Sequence, residues 1–360
     1  MPAEARISTP YCLVNQLKLM KNIHSMQRMV RLRNALLRPH FKTHKSLTIA
    51  RLQQEAGAAG FTCATINEAQ TLAAAGMGDI LLAFPLVVDA ANANDVRHLH
   101  ENAQIKFAVE SLEAARLLSE CLLRSSNKKA QVMIEIDCGC RRSGIDPKAA
   151  GEFALELDSM GLDVRGIFTY PGQGYSPNGA SKSALDEAEA LTVALRRLEV
   201  SGFANLIVSG GSTPTMQHFT SDKITEYRPG TYLLGDRQQA ALGMARSMLS
   251  LQVVTTVVHA SPGRIVLDAG AKSIGRDRPP WLDGFAELTV DPSVVVDRIY
   301  DHHAVIDSPF DVRVGSRLRI YPNNANTVVN NQAVIWLEMP DGSIRPTPVD
   351  ARSSQHDPTH

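Results

Sequence analysis

The sequence carries no net charge: 37 lysines and arginines stand against 37 aspartates and glutamates. A chain so balanced has no electrostatic footprint for a nucleic-acid backbone or an anionic membrane surface. Long hydrophobic runs are missing as well. The longest, Ile80–Val88, falls far short of the ~20 residues a membrane helix needs and contains Pro85. The first ten residues, MPAEARISTP, hold no apolar core of a secretory signal. Cysteine is scarce, and Cys12, Cys63, Cys121, Cys138 and Cys140 form an odd, scattered set. That pattern argues against a disulfide scaffold and for a reduced compartment. Cys138-Gly139-Cys140 would read as a metal or redox pair beside a second Cys/His pair. None follows, and small residues at a strand end are the competing account. What remains is a soluble chain, expected in the cytoplasm, with neither nucleic acid nor membrane as its partner.

Hydrophobic residues at 44% and charged residues at 21% suit a globular core. No internal repeat or low-complexity tract is present. Short apolar runs alternate with amphipathic stretches through the first two-thirds of the chain. Eight strands are expected at Leu36–Phe41, Gly60–Thr65, Asp79–Phe84, Gln104–Val109, Gln131–Ile136, Val164–Thr169, Asn205–Ser209 and Tyr227–Leu234. Between them lie helical patterns at Val14–Arg33, Leu47–Ala58, Glu68–Ala75, Val88–Glu101, Leu112–Arg124, Pro147–Met160 and Ser181–Val200. In the last of these Leu185, Ala188, Leu191, Leu195 and Leu198 recur at helical steps. Eight strand–helix units in this length predict an α/β fold, a (β/α)8 TIM-type barrel over residues 14–246. No G-x-G-x-x-G follows the first strand to favour an open doubly wound sheet. From Ser247 the runs become short, β-branched and punctuated by Gly, Pro, Asp and Asn. They predict a C-terminal antiparallel β domain over 247–340, joined by residues 1–13. A polar tail, 341–360, is expected to fray.

Catalytic groups of such barrels follow the strands, at the C-terminal rim. Strand seven runs into Ser209-Gly210-Gly211-Ser212-Thr213, and strand eight into Arg228-Pro229-Gly230-Thr231-Tyr232. Each alone reads equally as a plain turn. Side by side they resemble the phosphate site that barrels build after strands seven and eight. Lys42, at the end of strand one, is either a surface lysine or a Schiff-base former whose amine burial and neighbouring cations keep neutral. A lysine beside a phosphate cradle on a barrel suggests pyridoxal 5′-phosphate (PLP).

The run Arg38-Pro39-His40-Phe41-Lys42-Thr43-His44-Lys45, with Thr9-Pro10 upstream, resembles the fold-type III PLP enzymes of the D-threonine aldolase and D-serine dehydratase group. These are distant relatives of alanine racemase. Asp79–Pro85, Glu135–Gly139, Arg142-Ser143-Gly144, Ser209–Thr215, Arg228–Tyr232 and Asp268–Lys272 match in family order, so the resemblance covers the chain to about Asn330. It implies that Lys42 carries PLP and that Ser212, Thr213, Gly230 and Thr231 hold its phosphate. It places Arg228 against the pyridine nitrogen, with Tyr232 a second contact there. Tyr170 would line the cofactor face, and Arg142 would position cofactor or substrate. It also implies an alanine racemase-like barrel, a D-serine dehydratase-like β domain and a head-to-tail homodimer.

The chain departs from the family where metal-activated members hold an ion. Asn324 and Asn326 stand at both ligand positions, and a neutral amide is a poor donor to zinc or manganese. No metal site is therefore expected, and a divalent metal is not expected as a cofactor. His303 aligns with a family histidine and His302 is an addition. Either is a general base near the substrate hydroxyl or part of a structural pair at a strand end. Gln173 replaces a further histidine. Asn324, Asn326 and Gln173 are thus the candidate substrate contacts, and Lys42, Tyr170, His302 and His303 the candidate catalytic groups. The resulting expectation is a PLP-dependent lyase acting on a β-hydroxy-D-amino acid by retro-aldol cleavage. The alternatives are a D-serine or 3-hydroxyaspartate dehydratase-like ammonia-lyase, an amino-acid racemase and a non-enzymatic PLP carrier.

Overall fold

The computed structural model describes residues 6–123, 128–218, 221–307 and 311–352. These divide into two compact units, one of residues 27–42 and 53–230, the other of residues 6–26, 43–52 and 231–352. The chain opens with strand β1 (Tyr11–Asn15) and helix α1 (Gln16–Arg31). A helix was expected from Val14, but Tyr11–Val14 are all buried and apolar, so they pair as a strand instead. Asn15 Oδ1 then accepts the Lys18 N–H at 3.0 Å and starts the helix.

The barrel elements follow as β2 (Leu36–Leu37), α2 (Leu47–Glu55), β3 (Phe61–Cys63), α3 (Ile66–Ala74), β4 (Asp79–Leu82) and α4 (Ala93–Asn102). Next come β5 (Gln104–Val109), α5 (Leu112–Leu123), β6 (Gln131–Glu135) and α6 (Ala150–Ser159). The series ends with β7 (Asp163–Phe168), α7 (Gly179–Val200), β8 (Ile207–Gly210) and β9 (Glu226–Tyr227). Strands β2 to β9 form one parallel sheet in the order β2-β9-β8-β7-β6-β5-β4-β3. A parallel bridge between His40 and Thr62 joins its last strand to its first, giving the TIM-type arrangement read from the sequence. Leu81, Ala108, Met133 and Phe168 pack together on one face of β4 to β7.

Most of the barrel strands are shorter than expected, β2 and β9 the most. β2 stops at Leu37, two residues before Pro39, which lacks a ladder donor, and Phe41–Thr43 form a single 3-10 turn that carries Lys42. β9 stops at Tyr227, and residues beyond Pro229-Gly230 turn into a second 3-10 segment at Thr231–Leu233. The buried face of α7 is Ala184, Glu187, Ala190, Leu191, Ala194 and Leu198, while Leu185 is exposed. Leu191 and Leu198 of the expected stripe are buried, and alanines and one carboxylate fill the rest of that face.

The other unit adds α8 (Arg237–Ala241), β10 (Leu251–Ser261), β11 (Arg264–Leu267), α9 (Ala271–Ile274), β12 (Ala286–Leu288) and β13 (Arg298–Ile299). It is completed by β14 (Ala304–Ile306), β15 (Arg317–Pro322), α10 (Ala325–Asn330), β16 (Val334–Glu338) and β17 (Ile344–Pro348). Its sheet runs β13-β14-β11-β10-β1-β16-β17, with β15 on β10 and β12 on β15. Every pair is antiparallel except β1 with β16. The expected fraying from Asp341 does not hold for the first part of the tail. Ile344–Pro348 pair with β16, and the Ala351 N–H donates to the Lys45 carbonyl at 3.1 Å. The remainder of that tail, 353–360, lies outside the described residues. Among the described residues no helix is long and apolar enough to cross a membrane.

Candidate active site

The 3-10 turn after β2 presents Lys42 at the end of the barrel strands. Its Nζ lies 5.7 Å from the centroid of the Tyr170 ring, and the Arg142 guanidinium lies 4.7 Å from the same ring. Burial, reinforced by the charges of Arg142 and Arg228, lowers the Lys42 amine to about 8, with Glu68 opposing. The structure thus brings together Lys42, Arg142, Tyr170 and Arg228. Arg142 extends from the loop after β6, where its Nη2 sits 3.7 Å from Glu135 Oε1 and the Ser143 hydroxyl donates to the same oxygen at 2.9 Å. Burial raises the Tyr170 phenol, Arg142 offsets part of that, and its hydroxyl interacts with Tyr175.

Arg228 is buried with its guanidinium 5.0 Å from the Phe168 ring. Its Nε donates to Ser209 Oγ at 2.8 Å and its Nη2 donates to the Thr169 carbonyl. Burial lowers its pKa, and the charges of Glu226, Glu187 and Glu135 counter that. The cation therefore persists in the barrel interior.

The loop after β8 is built differently from a bare glycine cradle. Gly211 has φ +78°, and a Cβ there would approach the Tyr227 ring to 2.8 Å, so the backbone itself requires glycine. Its N–H is already given to Glu187 Oε1 at 2.8 Å, and the Ser212 N–H is given to Thr215 Oγ1 at 2.8 Å. Thr213 is the residue of this loop that lacks a partner: its hydroxyl is buried and accepts or donates nothing within the described chain. Gly230 follows Arg228 after Pro229, and Thr231 and Tyr232 are buried in the 3-10 turn that comes next.

Gln173 donates its amide to the Cys138 carbonyl at 2.8 Å, anchoring the loop after β6. His302 and His303 are exposed in the turn between β13 and β14, against whose backbone Gly270 packs. Asn324 caps α10: its Oδ1 accepts the Asn326 N–H at 3.0 Å and the Thr327 N–H at 3.4 Å, and its Nδ2 donates to Asp277 Oδ1 at 2.8 Å. Asn326 Oδ1 is buried without a partner. With both polar atoms of Asn324 committed and neutral amides at both positions, these residues do not fit a transition ion. A separate cavity of about 630 Å³ lies beyond β3 and β4, lined by Thr65, Asn67, Gln70, Phe84 and Leu86 among others, and holds none of the candidates.

Sequence reasoning missed the groups beneath the site. Glu187 accepts the Thr169 hydroxyl at 2.6 Å as well as Gly211, and burial raises its pKa. Glu226 accepts the Ser209 hydroxyl at 2.7 Å and Arg38 Nε at 2.8 Å. Arg38 also pairs with Asp79 at 2.9 Å, which takes Lys106 at 2.7 Å. The available signal was a carboxylate among alanines on the inward face of α7, and polar residues at alternate positions of otherwise apolar strands.

A parallel barrel with a lysine among cations at its rim, joined to a mostly antiparallel domain, defines a class known from solved structures. The chain belongs to the family described as "Alanine racemase, N-terminal domain", which matches residues 14–238, and residues 250–337 match the "Putative serine dehydratase domain". This is the fold-type III PLP group. The D-threo-3-hydroxyaspartate dehydratase of Delftia sp. (strain HT23) is 29% identical, over 89% of this chain and 91% of that one. Its solved structure superimposes with a TM-score of 0.89 at 26% identity, covering 99% of this chain and 100% of the other. The D-serine dehydratase of Dictyostelium discoideum is 26% identical over 89% of this chain and 90% of its own. The D-threonine aldolase of Arthrobacter sp. is 27% identical over 91% and 88%.

Proposed function

We propose that the protein is a PLP-dependent lyase that cleaves a β-hydroxy-D-amino acid by a retro-aldol reaction without a divalent metal. The observation that carries the reading is the Lys42 amine, lowered to about 8 among Arg142, Tyr170 and Arg228. A neutral amine at that rim is the group that condenses with a carbonyl. The residues fit the cofactor. The unpartnered, buried Thr213 hydroxyl suits a phosphate oxygen, with Ser212, Gly230 and Thr231 completing the cradle. Arg228, with Tyr232, would face the pyridine nitrogen, Tyr170 the ring face, and Arg142 would position the cofactor or the substrate. PLP bound there supplies the electron sink for the bond that breaks at the substrate α-carbon.

Retro-aldol cleavage asks this chain for a base on the β-hydroxyl, the role assigned to His302 or His303. Asn324, Asn326 and Gln173 are assigned to substrate contact. Dehydration would require expulsion of hydroxide, a poor leaving group without a Lewis acid. The neutral amides of Asn324 and Asn326, where the family resemblance implies ion ligands, therefore favour cleavage over dehydration. The dehydratase names of two of the relatives favour the second reading, release of ammonia and a 2-oxo acid. We further propose that the protein acts in the cytoplasm as a head-to-tail homodimer.

A panel of D- and L-β-hydroxy amino acids, incubated with the protein and PLP with and without a strong chelator, separates these outcomes. Glycine and an aldehyde, formed from D-substrates equally in both conditions, are expected. A 2-oxo acid with ammonia would select the dehydratase, and the enantiomer alone would select a racemase. Turnover abolished by the chelator would refute the metal-free reading.

A further inference from the structure

Arg228 reaches its place through a side chain rather than by chance of packing. Ser209 on β8 and Glu226 on β9 are paired residues of neighbouring strands, and both are buried. The Ser209 hydroxyl has one proton, and it is given to Glu226 Oε1 at 2.7 Å. Its oxygen lone pair is thereby turned toward Arg228, whose Nε donates to it at 2.8 Å. The other carboxylate oxygen of Glu226 is held by Arg38 Nε at 2.8 Å, and Arg38 is in turn fixed by Asp79. Gly60 leaves room for this guanidinium, since a Cβ there would come within 2.4 Å of Arg38 Nη1. Together with the Nη2 bond to the Thr169 carbonyl, the relay fixes the plane of Arg228 and leaves the Nη1 donors and one Nη2 N–H outside these bonds.

We infer that Ser209 is a positioning residue: oriented by Glu226, it aims Arg228 at the cofactor ring. The inference rests on the reading that PLP binds at Lys42 with its pyridine nitrogen toward Arg228. A guanidinium held in one plane keeps that nitrogen unprotonated, whereas a guanidinium free to swing lets water or a proton take its place.

The test uses the PLP-loaded protein and a double-substitution cycle of Ser209→Ala, Arg228→Lys and the pair. Three quantities are read: PLP affinity by equilibrium dialysis, the pH at which the visible band of the bound cofactor titrates, and kcat against KM. Ser209→Ala is expected to keep PLP affinity and KM within about twofold, to move the titration, and to lower kcat about tenfold, as for loss of a hydrogen bond to a charged group. In the Arg228→Lys background the same change is expected to add less than about twofold, because its target is already gone. Ser209→Thr, which keeps the hydroxyl, is expected to restore the titration. If the alanine variant does not fold, Glu226→Gln reads the same relay and is expected to move the titration in the same direction. An unmoved titration in folded Ser209→Ala or Glu226→Gln, or effects that multiply in the double variant, would overturn the inference. A wild-type protein that takes up no PLP overturns the cofactor reading and this inference together, whereas uptake with an unmoved titration overturns this inference alone.

Discussion

Lys42 and Lys45 show how three residues of spacing separate two chemistries. Lys45 Nζ donates to Asn330 Oδ1 at 2.7 Å, while Lys42 stands among cations with its amine lowered to about 8. Because burial and like charge disfavour the ammonium form, the Lys42 amine is neutral above that pH and charged below it. Capture of PLP by the cofactor-free protein is therefore expected to accelerate as the pH rises through about 8. Stopped-flow absorbance checks this, and a midpoint near the ordinary lysine value of 10.5 would contradict it. Thr213 carries a second expectation at this scale. Its hydroxyl is buried and unpartnered in the chain alone, so Thr213→Val removes a cost when PLP is absent and a hydrogen bond when it is present. The cofactor-free Tm is expected to stay level or rise, while PLP binds about tenfold more weakly. Equal PLP affinity of the two proteins would remove Thr213 from the phosphate site.

Among the elements, α10 explains why the paired asparagines were legible as a departure but not as a structure. The motif resemblance marks Asn324 and Asn326 as a departure from the expected ion-binding pattern; it does not reveal that Asn324 caps a helix and bonds to Asp277. Asn324→Ala is expected to cost about 1 kcal/mol of stability, the usual worth of such a cap, and Asn324→Ser much less. Thermal denaturation of the two variants checks it, and equal Tm values would show that the cap carries no weight. The loop after β8 teaches the same lesson. Its glycines were readable as room for an anion, but Gly211 serves the backbone turn and surrenders its N–H to Glu187. A Gly211→Val variant is accordingly expected to lose stability before it informs on phosphate, and a Tm equal to that of the unaltered protein would contradict this. The helix that supplies Glu187 was found from its periodicity. Its inward face was read only in part, through Leu191 and Leu198, because the alanines beside them carry little hydrophobic signal.

Across the whole molecule, most barrel strands were legible because each is a short apolar run bounded by turn residues, and parallel pairing buries both faces, whereas β9, the two-residue Glu226–Tyr227, was legible only in its place. The interior polar chain from Asp79 through Arg38 and Glu226 to Arg228 was not. Partners that meet only when the barrel closes leave no local pattern. β1 and β17 escaped for a related reason: they pair with strands hundreds of residues away or lie within a polar stretch. The rim lysine, by contrast, was marked by its motif, and the account stands or falls on it. The most direct measurement is borohydride reduction of the PLP-loaded protein followed by peptide mapping. A phosphopyridoxyl group on Lys42, at one per chain, is the expected result; the same label on Lys45 or Lys272, or none on any lysine, would contradict it.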